Sequence, residues 1–257
     1  MWLLDVQWYA LEIVSTELKA IAEDARVDVL TANSPSEKRV RWFELLLVLV
    51  ISFGGSLLSS LYLMHAGKAG LAMVSEFRWA RGFIQEIPCL LLLGYVLSRR
   101  RSSFRDIGLR WSLRDVGVGV GLAIASYVAY IVGGFIVYLV HHAFFRPGSN
   151  GISAADMASH SLAPAILFAL INPFFEELIV RAYLMSEIRD LTGSWIVAAI
   201  SSVTLQWSYH LYYGWDGAFS MAFTFLVFSI YFARTRRATP LVVAHGMLDL
   251  WAVLSWR

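Results

Sequence analysis

Four ionisable side chains lie where apolar sequence would be expected, and their types suit hydrolysis: Glu176, His210, His245 and Asp249. The first stands in Asn172-Pro173-Phe174-Phe175-Glu176-Glu177-Leu178-Ile179-Val180-Arg181, a run that continues an apolar stretch. A charged side chain at the centre of a membrane helix costs roughly 2.5–3.5 kcal/mol on insertion scales. Three of them facing lipid would cost on the order of 10 kcal/mol, as much as a domain's whole stability. They must therefore face a protein interior, pair, or line a wet cavity. Glu177 and Arg181 are four residues apart, so on a helix they share a face and can pair. Glu176, about 100° round, is free to point elsewhere. Pro173 is expected to kink the helix just before it.

The second site segment is Gln206-Trp207-Ser208-Tyr209-His210, and the third is His245-Gly246-Met247-Leu248-Asp249. The i,i+4 spacing in the third puts imidazole and carboxylate on one helical face. A lone histidine in such a span is more often a helix–helix hydrogen-bonder than a catalyst. Two histidines and two carboxylates on three spans are harder to explain that way. Two chemistries need such a set. In one, Glu176 is a general base taking a proton from water, His210 orients that water, and His245 with Asp249 stabilises the oxyanion. In the other, Glu176, His210, His245 and Asp249 hold a zinc ion that acidifies the water. The metal-free route, with no cofactor, is preferred, because the carboxylate and histidines need no ion to activate water.

Those residues need elements to position them, and the composition says what the elements are. The 257 residues are 58% hydrophobic and 16% charged, against nearer a quarter charged in soluble chains. A hydrocarbon core about 30 Å thick takes roughly 20 apolar residues per helix. Seven stretches qualify, at about 42–64, 83–98, 115–141, 162–185, 195–212, 217–233 and 239–256. The expected fold is all-α: a polytopic membrane bundle of about seven transmembrane helices plus an N-terminal amphipathic helix. The expected organisation is an N-terminal segment 1–41 and a transmembrane domain 42–257, with a catalytic core at about 162–256. Within 1–41, Trp2, Leu4, Trp8, Leu11, Val14, Leu18 and Ile21 recur at helical spacing beside acidic residues, which is unlike a signal peptide. Asn33-Ser34-Pro35-Ser36 is expected to break that helix before the first span.

With the N-terminus inside, thirteen Lys and Arg fall in inner loops and five in outer positions. The inner set gathers at Lys38–Arg41, Arg99–Arg114, Arg189 and Arg234–Arg237. That asymmetry predicts a cytoplasmic N-terminus and an external C-terminus. The basic runs are thus topology signals, and nucleic acid is not an expected partner. Cys89 reads as a buried packing thiol. Gly117, Gly119, Gly121, Gly133 and Gly134 read as small residues that let membrane helices approach. Tyr209, Tyr212, Tyr213 and Trp215 read as an interfacial aromatic belt. Glu86, in the second span, is either structural or lines the same cavity. By these boundaries Glu176 and His245 lie in the inner half of the membrane, while His210 lies more than 20 Å in, a tension the fold has to resolve.

Glu176-Glu177-x-x-x-Arg181, a histidine in an aromatic-rich span, and His245-x-x-x-Asp249, in this order, resemble the CPBP (ABI) family of CAAX-prenyl endopeptidases and bacteriocin-processing proteins. The resemblance covers roughly residues 84–256. It implies that Glu176 and His210 activate water, that His245 and Asp249 form the oxyanion site, and that Glu177 and Arg181 hold the helix. It also implies a bacterial inner (plasma) membrane and a membrane-anchored protein or peptide substrate. The chain departs from the family at Gln206, where Phe is usual, and at Asp249, where Asn is common. An ionised Asp249 cannot donate to an oxyanion, so it must be protonated, orient His245, or bind metal. Readings from other classes are a proton-coupled transporter, disfavoured by the lack of an internal repeat, and a non-catalytic immunity or scaffold protein. Prenylated proteins, leader-peptide precursors and C-terminal sorting signals all remain open as substrates.

Overall fold

The computed structural model describes residues 34–71, 78–144 and 162–255, and every regular element among them is helical. The residues expected to form the N-terminal amphipathic helix, Trp2 to Ile21, lie outside them. The chain divides into two compact units, Met1–Glu44 and Leu45–Arg257, and the whole candidate site lies in the second. In the first unit the expected break at Ser34-Pro35 is a helix start. Ser34 Oγ accepts from the Glu37 N–H at 3.2 Å, and Pro35 occupies a first-turn position where its missing N–H costs nothing.

Seven helical rods follow. They are α1 (Pro35–Leu71), α2 (Arg78–Arg99), α3 (Leu113–Phe144), then a long composite rod, then α6 (Trp195–Tyr209), α7 (Gly214–Thr235) and α8 (Thr239–Ser255). The composite rod joins α4 (Leu162–Glu176), a π-helical stretch (Glu177–Leu184) and α5 (Met185–Thr192). Four rods are long and apolar enough to cross a membrane: Pro35–Gly67, Leu113–Val140, Leu162–Thr192 and Leu211–Thr235.

Polarity is distributed as in a protein whose solvent is lipid. Leu58, Ile124, Ile131, Phe135 and Ile196 are exposed, while Glu177, Arg181 and Gln206 are fully buried. Hydrocarbon favours apolar surfaces and requires that interior polar groups find partners within the protein. The chain is an integral membrane protein.

Small residues and hydroxyls set the helix spacing. A Cβ on Gly119 would stand 2.6 Å from Val243 Cγ1 and 3.0 Å from the Pro240 carbonyl oxygen, so α3 and α8 meet closely there. A Cβ on Gly133 would stand 2.4 Å from the Phe223 ring, and α3 meets α7 there. Gly117 and Gly121 have nothing within 4 Å, so close approach accounts for two of the five glycines and not for the run. Thr224 Oγ1 also donates to the Ser126 carbonyl across α7 and α3 at 3.1 Å. Cys89 is buried, with Sγ 4.0 Å from the Ile51 carbonyl oxygen on α1.

One end of the bundle gathers the basic connectors. Arg100 pairs with Glu187 at 2.7 Å, and Arg237 pairs with Asp115 at 2.6 Å. Thr239 Oγ1 donates to the Arg110 carbonyl at 2.9 Å, and the Ala238 N–H donates to Gly108 O at 2.9 Å. Gly108 has φ +112°, and a Cβ there would lie 2.4 Å from Arg236 O, so only glycine fits this crossing. The connector between α2 and α3 is thereby strapped to the α7–α8 turn.

The composite rod also removes the depth conflict. The apolar signal stops near residue 185, but the helix continues to Thr192, where Gly193 at φ +76° ends it. Ser194 then caps α6 by accepting from the Val197 N–H at 3.3 Å. Counted from that turn, Glu176 and His210 lie about equally far along neighbouring rods, at roughly 1.5 Å per residue.

Candidate active site

Glu176 is the last α-helical residue before the π stretch, in which all eight residues are buried. Pro173 precedes it by one turn and removes the N–H that would bond the Ala169 carbonyl. Gly246 of α8 lies over that notch; a Cβ there would sit 3.5 Å from Pro173 Cγ and 3.9 Å from Ala169 O. The proline thus marks where α8 crosses α4 and where His245 comes alongside Glu177.

One oxygen of Glu176 is held twice. Oε2 accepts from Gln206 Nε2 at 2.8 Å and from the Tyr209 hydroxyl at 2.7 Å. Tyr209 is itself fixed by Phe53 of α1, stacked on its ring at 5.0 Å. The other face of Gln206 is taken as well, because its Oε1 accepts a short hydrogen bond from Arg181 Nη2. Sequence reasoning missed both donors to Glu176. Tyr209 is buried, inside the site, and not part of an interfacial belt, whereas Trp215 is well exposed. Gln206 carries a usable sequence signal, a long polar side chain in an apolar span, beyond its departure from the family pattern.

Glu177 and Arg181 are paired more loosely than their spacing suggests. Arg181 Nε stands 3.8 Å from Glu177 Oε2, an ion pair but not a hydrogen bond. The closer partner of Glu177 is His245, whose Nδ1 donates to Oε1 at 2.8 Å. On the far side of the imidazole, Nε2 stands 3.5 Å from Asp249 Oδ1. Asp249 Oδ2 in turn accepts from Asn172 Nδ2 at 3.2 Å. His245 therefore lies between two carboxylates, and Asn172 is a further residue of the site that sequence alone did not assign.

His210 caps α6 with φ −99° and ψ 4°, the sparsely populated bridge region that many active-site residues occupy. Its Nδ1 donates to the Gln206 carbonyl at 2.7 Å, which leaves Nε2 for a reactant. Phe225 at 5.0 Å and Tyr213 at 6.1 Å, centroid to centroid, confine the ring. Gln206 links His210 to Glu176, its carbonyl accepting from His210 and its amide donating to Glu176, and Glu177 ties His245 to the residue next to Glu176. The structure thus brings together Glu176, His210, His245 and Asp249, with Glu177 and Arg181 bridging them. Among the described residues, no group of three His, Cys, Asp or Glu side chains is arranged to hold a metal ion.

Fold and site together define a helical integral membrane protein with an ionisable cluster buried between its spans. Residues 158–251 match the family model of the type II CAAX prenyl endopeptidase, Rce1-like. The matched segment contains all four candidate residues, and it agrees with the CPBP resemblance over a shorter range. No curated protein and no solved structure matches the chain.

Proposed function

We propose that the chain is an intramembrane endopeptidase that hydrolyses a peptide bond of a membrane-associated protein or peptide. The observation that carries this reading is Glu176. It is a buried carboxylate oriented by Gln206 and Tyr209, in one cluster with two histidines and inside the family-matched segment. Glu176 takes a proton from water, and His210 Nε2 orients that water for attack on the scissile carbonyl. The developing oxyanion is stabilised by His245, whose Nδ1 is held by Glu177. Its Nε2, 3.5 Å from Asp249 and short of a hydrogen bond to it, donates to the substrate oxygen. Glu176 then returns its proton to the leaving amine as the carbon–nitrogen bond breaks, which closes the cycle.

The reading is metal-free. What supports it is that the carboxylate and the two histidines need no ion to activate water. The membrane is proposed to be a bacterial inner membrane, with the basic end of the bundle cytoplasmic.

The test compares membrane-fraction termini by proteomics in cells carrying wild-type protein or Glu176→Gln. An uncleaved precursor that accumulates only with the variant is the expected outcome. Identical termini in both would refute the protease and favour a carrier or a non-catalytic protein.

A further inference from the structure

Glu86 lies outside the family-matched segment and outside the hydrogen-bond network just described. It is only 5% exposed, and its Oε2 is buried without a hydrogen-bond partner. Among the described residues, it is the one buried carboxylate oxygen with neither a hydrogen bond nor an ion pair. The only other unbonded one, Glu177 Oε2, faces Arg181. A carboxylate left unsatisfied in a low-dielectric interior is costly, so it has either a use or a partner still to arrive.

The helix register shows where that partner would come from. α2 packs against α4, and a Cβ on Gly82 would meet the Phe168 ring at 2.8 Å. Glu86 is four residues beyond Gly82, as Asn172 is four beyond Phe168. Each therefore stands one turn further along the same face. α2 and α4 run the same way, because a single return helix, α3, separates them. Glu86 is thus carried to the level of Asn172, which bonds Asp249. The ionisable groups with which it interacts electrostatically are Glu176, Asp249 and His245.

We infer that Glu86 is a substrate-binding residue of the site, its Oε2 accepting a main-chain N–H of the peptide next to the scissile bond. A peptide drawn into the bundle loses the water that bonded its N–H groups and needs protein acceptors in their place. The site offers few. Asp249 Oδ2 and Glu176 Oε2 are occupied by protein donors, and Glu177 Oε1 holds His245. Glu86 Oε2 is a buried acceptor that no donor among the described residues reaches and that no ion pair engages.

This inference rests on the protease reading, and the experiment separates the two. Full-length protein carrying Glu86→Leu, Glu86→Gln or Glu176→Gln is expressed beside wild type and membrane termini are mapped. The substrate probe is then a synthetic peptide spanning the cleavage site so identified, assayed with purified protein. Glu86→Leu removes the acceptor at similar volume, whereas Glu86→Gln keeps a carbonyl oxygen in place. The expected result for Glu86→Leu is a KM raised tenfold or more, with kcat within about threefold of wild type and a thermal midpoint equal or higher. Glu86→Gln should restore KM to within about threefold. A merely structural Glu86 would instead lower the midpoint of the Leu variant, and that outcome overturns the inference. So does a Leu variant with wild-type KM, or one in which kcat alone falls. If Glu176→Gln changes no termini, the protease reading fails and this inference goes with it.

Discussion

Glu177 Oε1 lies 2.8 Å from Nδ1 of His245, a contact across 68 residues of sequence, while the Arg181 side chain one turn away stands at 3.8 Å. Glu177 therefore joins the helix of Glu176 to the helix of His245 and Asp249, and its charge serves two neighbours at once.

Glu177→Gln should lower both stability and turnover. The amide can still accept from His245, but it leaves Arg181 fully buried without its countercharge. Breaking a buried pair from one side costs about 3–5 kcal/mol. Thermal unfolding in detergent should show a loss of that order, and turnover should fall tenfold or more. A variant as stable and active as wild type would leave the pair with no net role.

Gln206 and Tyr209 act on the same oxygen, so their effects should not add. Tyr209→Phe and Gln206→Leu each remove a hydrogen bond to a carboxylate, worth about 1.5–3 kcal/mol. A double-mutant cycle read by thermal unfolding should give a coupling of about 0.5–3 kcal/mol. Additivity within about 0.3 kcal/mol would mean that the two donors do not share Glu176.

Asp249→Asn separates the metal-free route from the zinc route. The amide keeps a carbonyl for Asn172 and turns an N–H₂ toward the site, so turnover should stay within about tenfold of wild type. Purified protein should hold no stoichiometric zinc and resist chelators. One tightly bound zinc per chain by elemental analysis, lost together with activity in the variant, would establish the metal route instead.

Gly119→Ala tests the packing of α3 on α8. Its methyl would meet Val243 Cγ1 at 2.6 Å, and overpacking of this kind costs about 1–3 kcal/mol. Gly117→Ala, with nothing within 4 Å, should be neutral or slightly stabilising. Equal unfolding midpoints for the two variants would contradict the crossing described.

Reporter fusions test the orientation. A reporter placed after Arg237 should be cytoplasmic, and one placed after Arg257 should be external. The opposite pattern would reverse the side from which the basic connector is reached.

The helical class and the seven rods follow from apolar run length, which is why they were legible in the sequence. The four candidate residues were legible because an ionisable group among apolar neighbours stands out. The partners of those residues were not. Periodicity reports which residues share one helix face, but not which face meets which across 68 residues, so His245 could not be placed on Glu177. Tyr209 was misread because an aromatic near the end of an apolar run suits a membrane interface as well as a buried site. The rod was ended too early because Glu187, Arg189 and Asp190 lower the apolar signal, although the backbone stays helical to Thr192.

The π stretch between Glu176 and Met185 makes helix winding itself a determinant of the site. Hydrogen bonds there run from i to i+5, so this stretch holds more residues per turn than the α-helices on either side. Tightening of the same eight residues into ordinary α-helix, with none removed, would add about one residue's worth of rotation. Everything beyond it would then be rephased by about 100° relative to Glu176. Glu187 would swing away from Arg100, and the strap at the basic end would lose an anchor. Such a rephasing would do more damage than exchanging any single apolar side chain in the stretch. The winding from Glu176 to Glu187 is therefore specified as firmly as the residues at its two ends.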